Sequence, residues 1–225
     1  MKAKYLNTTK KEVSSKRFNV FIGISLGNTF FSRKNMGEYI LWAVENSRED
    51  VVVLIADDIH SINYKVLNGL GEKEALEKAR LLGKEKEGMV KGIVSCLGLG
   101  DKVRVLHWGD ILSKEYVRKV GLTFKEFKEN KDFKSKILKI GEDFIEGRKL
   151  DLSKLERIRL AEYILNELPL LIEGLCFDGK NYEVLPYPVS DSLDDFLLDI
   201  QKGNLFEDYL KKLNISFLRK VVVLK

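Results

Sequence analysis

Cysteine, histidine and proline are all scarce in this 225-residue chain, at two, two and three residues. Two cysteines, Cys96 and Cys176, are too few for a disulfide framework or a thiolate metal site, and they fit a reducing, cytosolic setting. The histidines, His60 and His107, show no metal-binding spacing and both fall in the first half of the chain. Three prolines argue against a hinged linker between domains. No apolar run approaches the roughly 18 residues that a membrane-spanning helix needs. The first 18 residues also lack the apolar core of a secretory signal.

What is present describes a globular protein. Hydrophobic residues make up 44% and charged residues 32%, enough for a sizeable core. Lysine and arginine outnumber the acids by 39 to 34, a net charge of +5 that permits a polyanionic partner without demanding one. Residues 1–18 hold five lysines and one arginine against a single glutamate, and are expected to form a mobile basic tail. Residues 19–225, without repeats or low-complexity blocks, are expected to form one domain.

Strand and helix patterns alternate through the first half. Asn19 to Ile24 and Val51 to Ile55 are apolar and β-branched, as befits strands covered on both faces. Helical patterns over Met36 to Val44 and about Lys73 to Leu97 alternate with these strands, and Val103 to Leu106 reads as a third. The stretch from Ile111 to Gly174 is helical in period. Tyr182 to Val189 and Ser216 to Leu224 read as late strands flanking a helix over Asp194 to Leu213. This order predicts an α/β fold, a Rossmann-like parallel sheet of about five strands with helices on both faces. Ligands of such sheets sit beyond the carboxyl ends of the strands, so the chemistry is expected after Ile24, Ile55, Leu106 and Val184.

The first of these turns reads Gly23-Ile-Ser25-Leu-Gly27-Asn28. Glycines beside a serine allow a sharp turn that exposes the hydroxyl, as in the nucleophile elbow of serine hydrolases. An esterase of that kind places several strands before its elbow and a histidine late in the chain, and neither condition is met here. The turn also lacks the lysine of a phosphate-binding loop and the glycine spacing of a dinucleotide site. A plain glycine turn with Ser25 capping a helix is the structural alternative.

Three separated motifs narrow the choice. Phe21-Ile-Gly-Ile-Ser-Leu-Gly-Asn-Thr-Phe-Phe-Ser-Arg-Lys-Asn35, Tyr163-Ile-Leu-Asn-Glu167-Leu-Pro169 and Val184-Leu185-Pro186-Tyr187 together resemble the cyclodipeptide synthases in order, spacing and total length. The resemblance implies a fold similar to the catalytic domain of class I aminoacyl-tRNA synthetases, and a reaction that joins the amino acids of two aminoacyl-tRNAs into a diketopiperazine. It implies Ser25 as a nucleophile that passes through aminoacyl- and dipeptidyl-enzyme forms by ping-pong steps, with Tyr187 orienting it and relaying protons. Tyr163 and Glu167, about 40° apart on one helix face, would hold the substrate ammonium. Gly23 would leave room for the aminoacyl group, Asn28 would belong to the nucleophile loop, and Phe21, Leu170 and Leu185 would line the pocket for the first side chain. The ester arrives activated, so no cofactor or metal is expected; the enzyme is expected to be a cytoplasmic monomer with no membrane partner. Asn28 combined with Pro188 after Tyr187 mixes two patterns of the family and leaves open how the loop supports Tyr187.

The helix from Lys73 carries a further feature. At 100° per residue, Lys73, Arg80, Lys84 and Lys91 fall within about 40° of one another, opposite an apolar base. The resemblance implies that this stripe holds tRNA. Glu77 and Glu87 at its edges leave open a simpler reading as a solvated face. A non-catalytic module that binds charged tRNA on the same fold, and a serine esterase, are the remaining alternatives.

Overall fold

The computed structural model describes residues 2–146, 152–203 and 217–224. Its centre is a seven-stranded sheet. Strands β2 (Asn19–Ile24), β3 (Val51–Ile55), β4 (Val103–His107), β6 (Lys180–Tyr187) and β7 (Arg219–Leu224) are all parallel and lie in the order β7-β6-β2-β3-β4. These five are the strands expected from the sequence. Two antiparallel additions complete the sheet: β1 (Lys2–Tyr5) on the outer edge of β7, and the short β5 (Leu175–Phe177) against β6.

Helices cover both faces, which explains why all five residues of β3 are buried and all are apolar. On one face α1 (Lys10–Ser14), α2 (Arg33–Asn46) and α4 (Glu72–Cys96) pack on Val20, Ile22, Ile24, Val51 and Val53. On the other, α3 (Asp57–Asn68), α5 (Lys114–Glu129), α6 (Lys131–Glu146), α7 (Lys154–Glu173) and α8 (Ser192–Gln201) pack on Phe21, Val52, Leu54, Leu106 and Leu185. The alternation of the strand residues between the two cores is the period of two that a pleated sheet imposes.

Local chemistry fixes the ends of α7, the helix that matters most for the site. Ser153 and Glu156 form a reciprocal capping box at its start. At its end Gly174 adopts φ 89, and a Cβ there would lie 2.4 Å from the Tyr182 carbonyl oxygen, so only glycine allows the chain to turn back into β5.

Residues 2–14 depart from the expected basic tail. Lys2 to Tyr5 pair with Leu224 to Val221, Val13 is buried, and Asn7 bonds both Leu218 and Lys220. The lysines face outward while the intervening residues pack, so composition alone reads as solvated chain. Helix α3 is an addition to the expected elements: Ile59, Ile62 and Val66 keep a helical spacing, and Asp57, His60, Ser61 and Asn63 are polar residues buried with them. Of the helix expected over Asp194 to Leu213, α8 covers the first part, and residues 204–216 lie outside the described residues.

Candidate active site

The carboxyl ends of β2, β3 and β6 converge on a cavity of about 730 Å³, roofed by α3, α6, α7 and the start of α8. The first wall is the turn after β2. The Asn28 N–H donates to the Ser25 carbonyl at 3.2 Å, and the Ala56 N–H holds the Ile24 carbonyl at 3.0 Å, so the strand end is pinned while Ser25 leaves it. Eight residues, 25–32, separate β2 from α2, whose N-cap is Ser32. Ser25 is therefore no helix cap; it lines the cavity together with Tyr163, whose phenol its hydroxyl favours in the ionised form.

Tyr163 and Glu167 both face the cavity from α7 and lie deep in the protein, their remaining surface being cavity surface. Burial raises the Tyr163 phenol well above its ordinary value of 10.0, helped by the charges of Glu167 and Tyr187 and opposed by the bond to Ser25. Burial also pushes Glu167 up to about 7; Lys220 pulls it down and Asp191 pushes it up. Tyr187, at the end of β6, is raised to about 12, by burial and then by Glu167, against a hydrogen bond from Asn28. Both phenols thus keep their protons at neutral pH, while Glu167 sits where a small change of field decides its charge.

Asn28 answers the question left by Pro188. Its side chain lines the cavity with Tyr187 and lowers the pull of burial on that phenol, while its Oδ1 accepts the Phe30 N–H at 2.9 Å and fixes the nucleophile turn. Phe31 adds a ring contact to Tyr187 at 5.9 Å, and Lys86 of α4 donates to the Phe31 carbonyl at 2.8 Å. Gly23 lines the cavity one turn of the pleat before Ser25. A Cβ there would meet only Leu185 Cδ1, at an ordinary 3.9 Å, so the protein itself does not require the glycine. Phe21, Leu170 and Leu185 wall the cavity and belong to the core at the same time.

The four residues of the stripe lie on α4, outside the cavity lining. Three of them have acidic partners. Arg80 bonds Asp58 through two nitrogens at 2.8 and 2.9 Å, Lys91 pairs with Glu87 at 2.6 Å, and Lys73 is 3.9 Å from Glu77. Lys84 is exposed and has no ion pair among the described residues.

Several cavity residues carry no signal in the sequence motifs. His60 enters from α3, its ring 6.1 Å from that of Tyr163 and close under Gly27. It follows the end of β3, where the strand-end rule points. Lys220 enters from β7 beside Leu185, its register partner on β6. Among the described residues no cluster of histidine, cysteine, aspartate or glutamate has the makings of a metal site, and no helix is long and apolar enough to cross a membrane.

Ser25, Tyr163, Glu167 and Tyr187 thus line one cavity at the strand ends, and comparison with known proteins gives the chain a family. The cyclodipeptide synthase family model matches residues 3–201. The chain belongs to the cyclodipeptide synthase family. Members of this family are tRNA-dependent aminoacyltransferases that form cyclic dipeptides. The fold agrees with the solved synthases. A cyclodipeptide synthase from Bacillus thermoamylovorans superposes with a TM-score of 0.79 at 18% identity, covering 98% of this chain and 94% of that one. A Mycobacterium tuberculosis protein, whose structure is described as relating cyclodipeptide synthetases to type I tRNA synthetases, gives 0.78 at 19%, with 98% and 91% covered. The synthase from Candidatus Glomeribacter gigasporarum bound to Phe-tRNAPhe gives 0.55 at 16%, with 90% and 85% covered. No curated protein sequence matches the chain.

Proposed function

We propose that this synthase works by covalent catalysis on Ser25, with two aminoacyl-tRNAs as substrates. The Ser25 oxygen attacks the ester carbonyl of the first aminoacyl-tRNA, the carbonyl–oxygen bond to the tRNA ribose breaks, and the serine proton ends on the ribose hydroxyl. The amine of the bound aminoacyl group then attacks the second ester, releasing the second tRNA and leaving a dipeptidyl group on Ser25. Its free amine attacks the serine ester, closing the ring and restoring the Ser25 hydroxyl.

The other groups have distinct tasks in this scheme. Glu167 and Tyr163 offer a carboxylate and a hydroxyl to the ammonium of the first amino acid. Tyr187, beside Asn28, orients the reacting groups and carries protons during cyclisation. Gly23 leaves space for the acyl group, and Phe21, Leu170 and Leu185 contact its side chain. Lys73, Arg80, Lys84 and Lys91 present positive charge to the tRNA backbone. The substrates arrive activated, so the scheme uses no cofactor or metal. The enzyme acts as a monomer in the cytoplasm, where charged tRNA is supplied.

The observation that carries the reading is that one cavity at the strand ends is lined by Ser25, Tyr163, Glu167 and Tyr187 together. The test uses tRNA charged with radiolabelled amino acids. Label retained on the denatured wild-type protein and absent from Ser25→Ala is the expected result, together with a cyclic dipeptide in the medium of expressing cells. Binding of charged tRNA by a folded wild-type protein that never acquires label would favour a non-catalytic tRNA-binding module instead.

A further inference from the structure

One charged side chain reaches the cavity from an element that none of the three motifs includes. Lys220 projects from β7 on the face that carries Leu185, and only 13% of its side chain is exposed. A buried ammonium is costly unless paired, and this one is paired with Asp194 of α8, itself 1% exposed. Its nitrogen also lies 5.3 Å from the ring centroid of Tyr187, within cation–π range. The same ammonium acts electrostatically on Glu167 across the cavity.

These contacts divide the labour in a particular way. Asp194 tethers the lysine, so the Glu167 oxygens stay available to a substrate ammonium. The Tyr187 ring is held from two sides, by Phe31 and by Lys220. We propose that Lys220 is a positioning residue of the active site, fixing Tyr187 and supplying the positive charge that faces the Glu167 carboxylate before the substrate ammonium arrives. The role rests on the reading of Glu167 as the ammonium-binding group.

The field at Glu167 has few other sources. Tyr163 faces it from α7, Tyr187 from β6 and Asp191 from the residue before α8; Asp143 of α6 and His60 of α3 line the same cavity. Asp191 opposes ionisation of Glu167, so among these groups Lys220 is the cation that favours it. Without Lys220, the burial that already raises Glu167 to about 7 would act with less opposition.

Two measurements test this, and the first needs no turnover. Carbon-13 NMR of glutamate-labelled full-length protein, with Glu167→Gln assigning the signal, gives the Glu167 titration midpoint. Lys220→Met is expected to raise that midpoint by about one pH unit, and Lys220→Arg to leave it near the wild-type value. The second is the pH profile of Ser25 acylation, whose acid limb should move up in Lys220→Met by the same amount and stay in place in Lys220→Arg. A midpoint unmoved in a folded Lys220→Met protein overturns the proposal, as does a Lys220→Arg protein that shifts as far as Lys220→Met. Should Lys220→Met fail to fold, Lys220→Gln carries the same expectation. Wild-type protein that never acquires label on Ser25 would sink the serine mechanism, while the NMR titration would still decide the role of Lys220.

Discussion

Thr123 Oγ1 donates a hydrogen bond to the carbonyl of Leu165 at 2.8 Å. That carbonyl would ordinarily accept from the N–H four residues on, but Pro169 has none. The threonine, fully buried on α5, therefore completes the proline-containing turn of α7 between Tyr163 and the end of the helix. The Tyr116 hydroxyl, also on α5, donates to the next carbonyl, Asn166, at 2.8 Å.

Replacing Thr123 by valine keeps the shape and removes the donor. An unsatisfied buried carbonyl costs about 1–3 kcal/mol. Urea unfolding of Thr123→Val should show a loss in that range, with Thr123→Ser recovering most of it. A neutral valine would mean that water or another donor completes this turn.

Gly23 separates the needs of the fold from those of the substrate. Its Cβ site contacts only Leu185 Cδ1 at 3.9 Å, so Gly23→Ala should fold with an unfolding free energy within about 1 kcal/mol of wild type. Acylation of Ser25 should nevertheless fall on the order of tenfold or more, because a methyl group occupies the space where the acyl group must align. Calorimetry and the labelling assay read the two effects separately. Equal activity in the two proteins would remove the glycine from the binding site.

His107 makes stability depend on pH. At the end of β4 its Nδ1 lies 2.6 Å from Asp57 and its Nε2 3.3 Å from Glu87 of α4. Burial works against the imidazolium, but the Asp57 hydrogen bond and charge, followed by those of Glu87, outweigh it and raise the group above its ordinary 6.5. A raised histidine stabilises the fold fully below that ordinary value and loses its contribution as pH climbs through the folded value. Melting temperatures of wild type and His107→Gln, compared from about pH 6 to 9, should converge as pH rises. A gap that widens instead would contradict the ion pairing.

The stripe on α4 is a weaker patch than its helical wheel suggests, since Asp58, Glu87 and Glu77 sit beside three of its four cations. Lys84 is then the most available of the four. Reversing Arg80 and Lys84 together should raise the KM for charged tRNA roughly tenfold and flatten the dependence of log affinity on log salt by about 1–2. Kinetics that do not change in Arg80→Glu/Lys84→Glu would make the stripe a solvated face.

The parallel core was legible because strands buried on both faces, such as Val51 to Ile55, are unbroken apolar runs. The cavity was legible where motifs follow strand ends, as with Ser25 and Tyr187. It was not legible at His60, which belongs to none of the three motifs and is buried on a helix that carries several other buried polar residues. Nor was it at Lys220, which reads as one more basic residue until its neighbour Leu185 on β6 gives its place. Asn28 lies between these cases: its position in the turn was evident, but its place beside Tyr187 in the cavity depends on two segments far apart in sequence. Charge balance also escapes a helical wheel, because Asp58 reaches Arg80 from a different helix.

The first few residues have a consequence for how this enzyme is handled. Leu6 donates to the Lys220 carbonyl at 3.1 Å, and Asn7 accepts the Lys220 N–H at 2.7 Å, so the backbone beneath a cavity lysine is clasped by the opening segment of the chain. Trimming that segment as a dispensable flag, or fusing a bulky partner against it, would touch no residue of the cavity wall and yet loosen one of its supports.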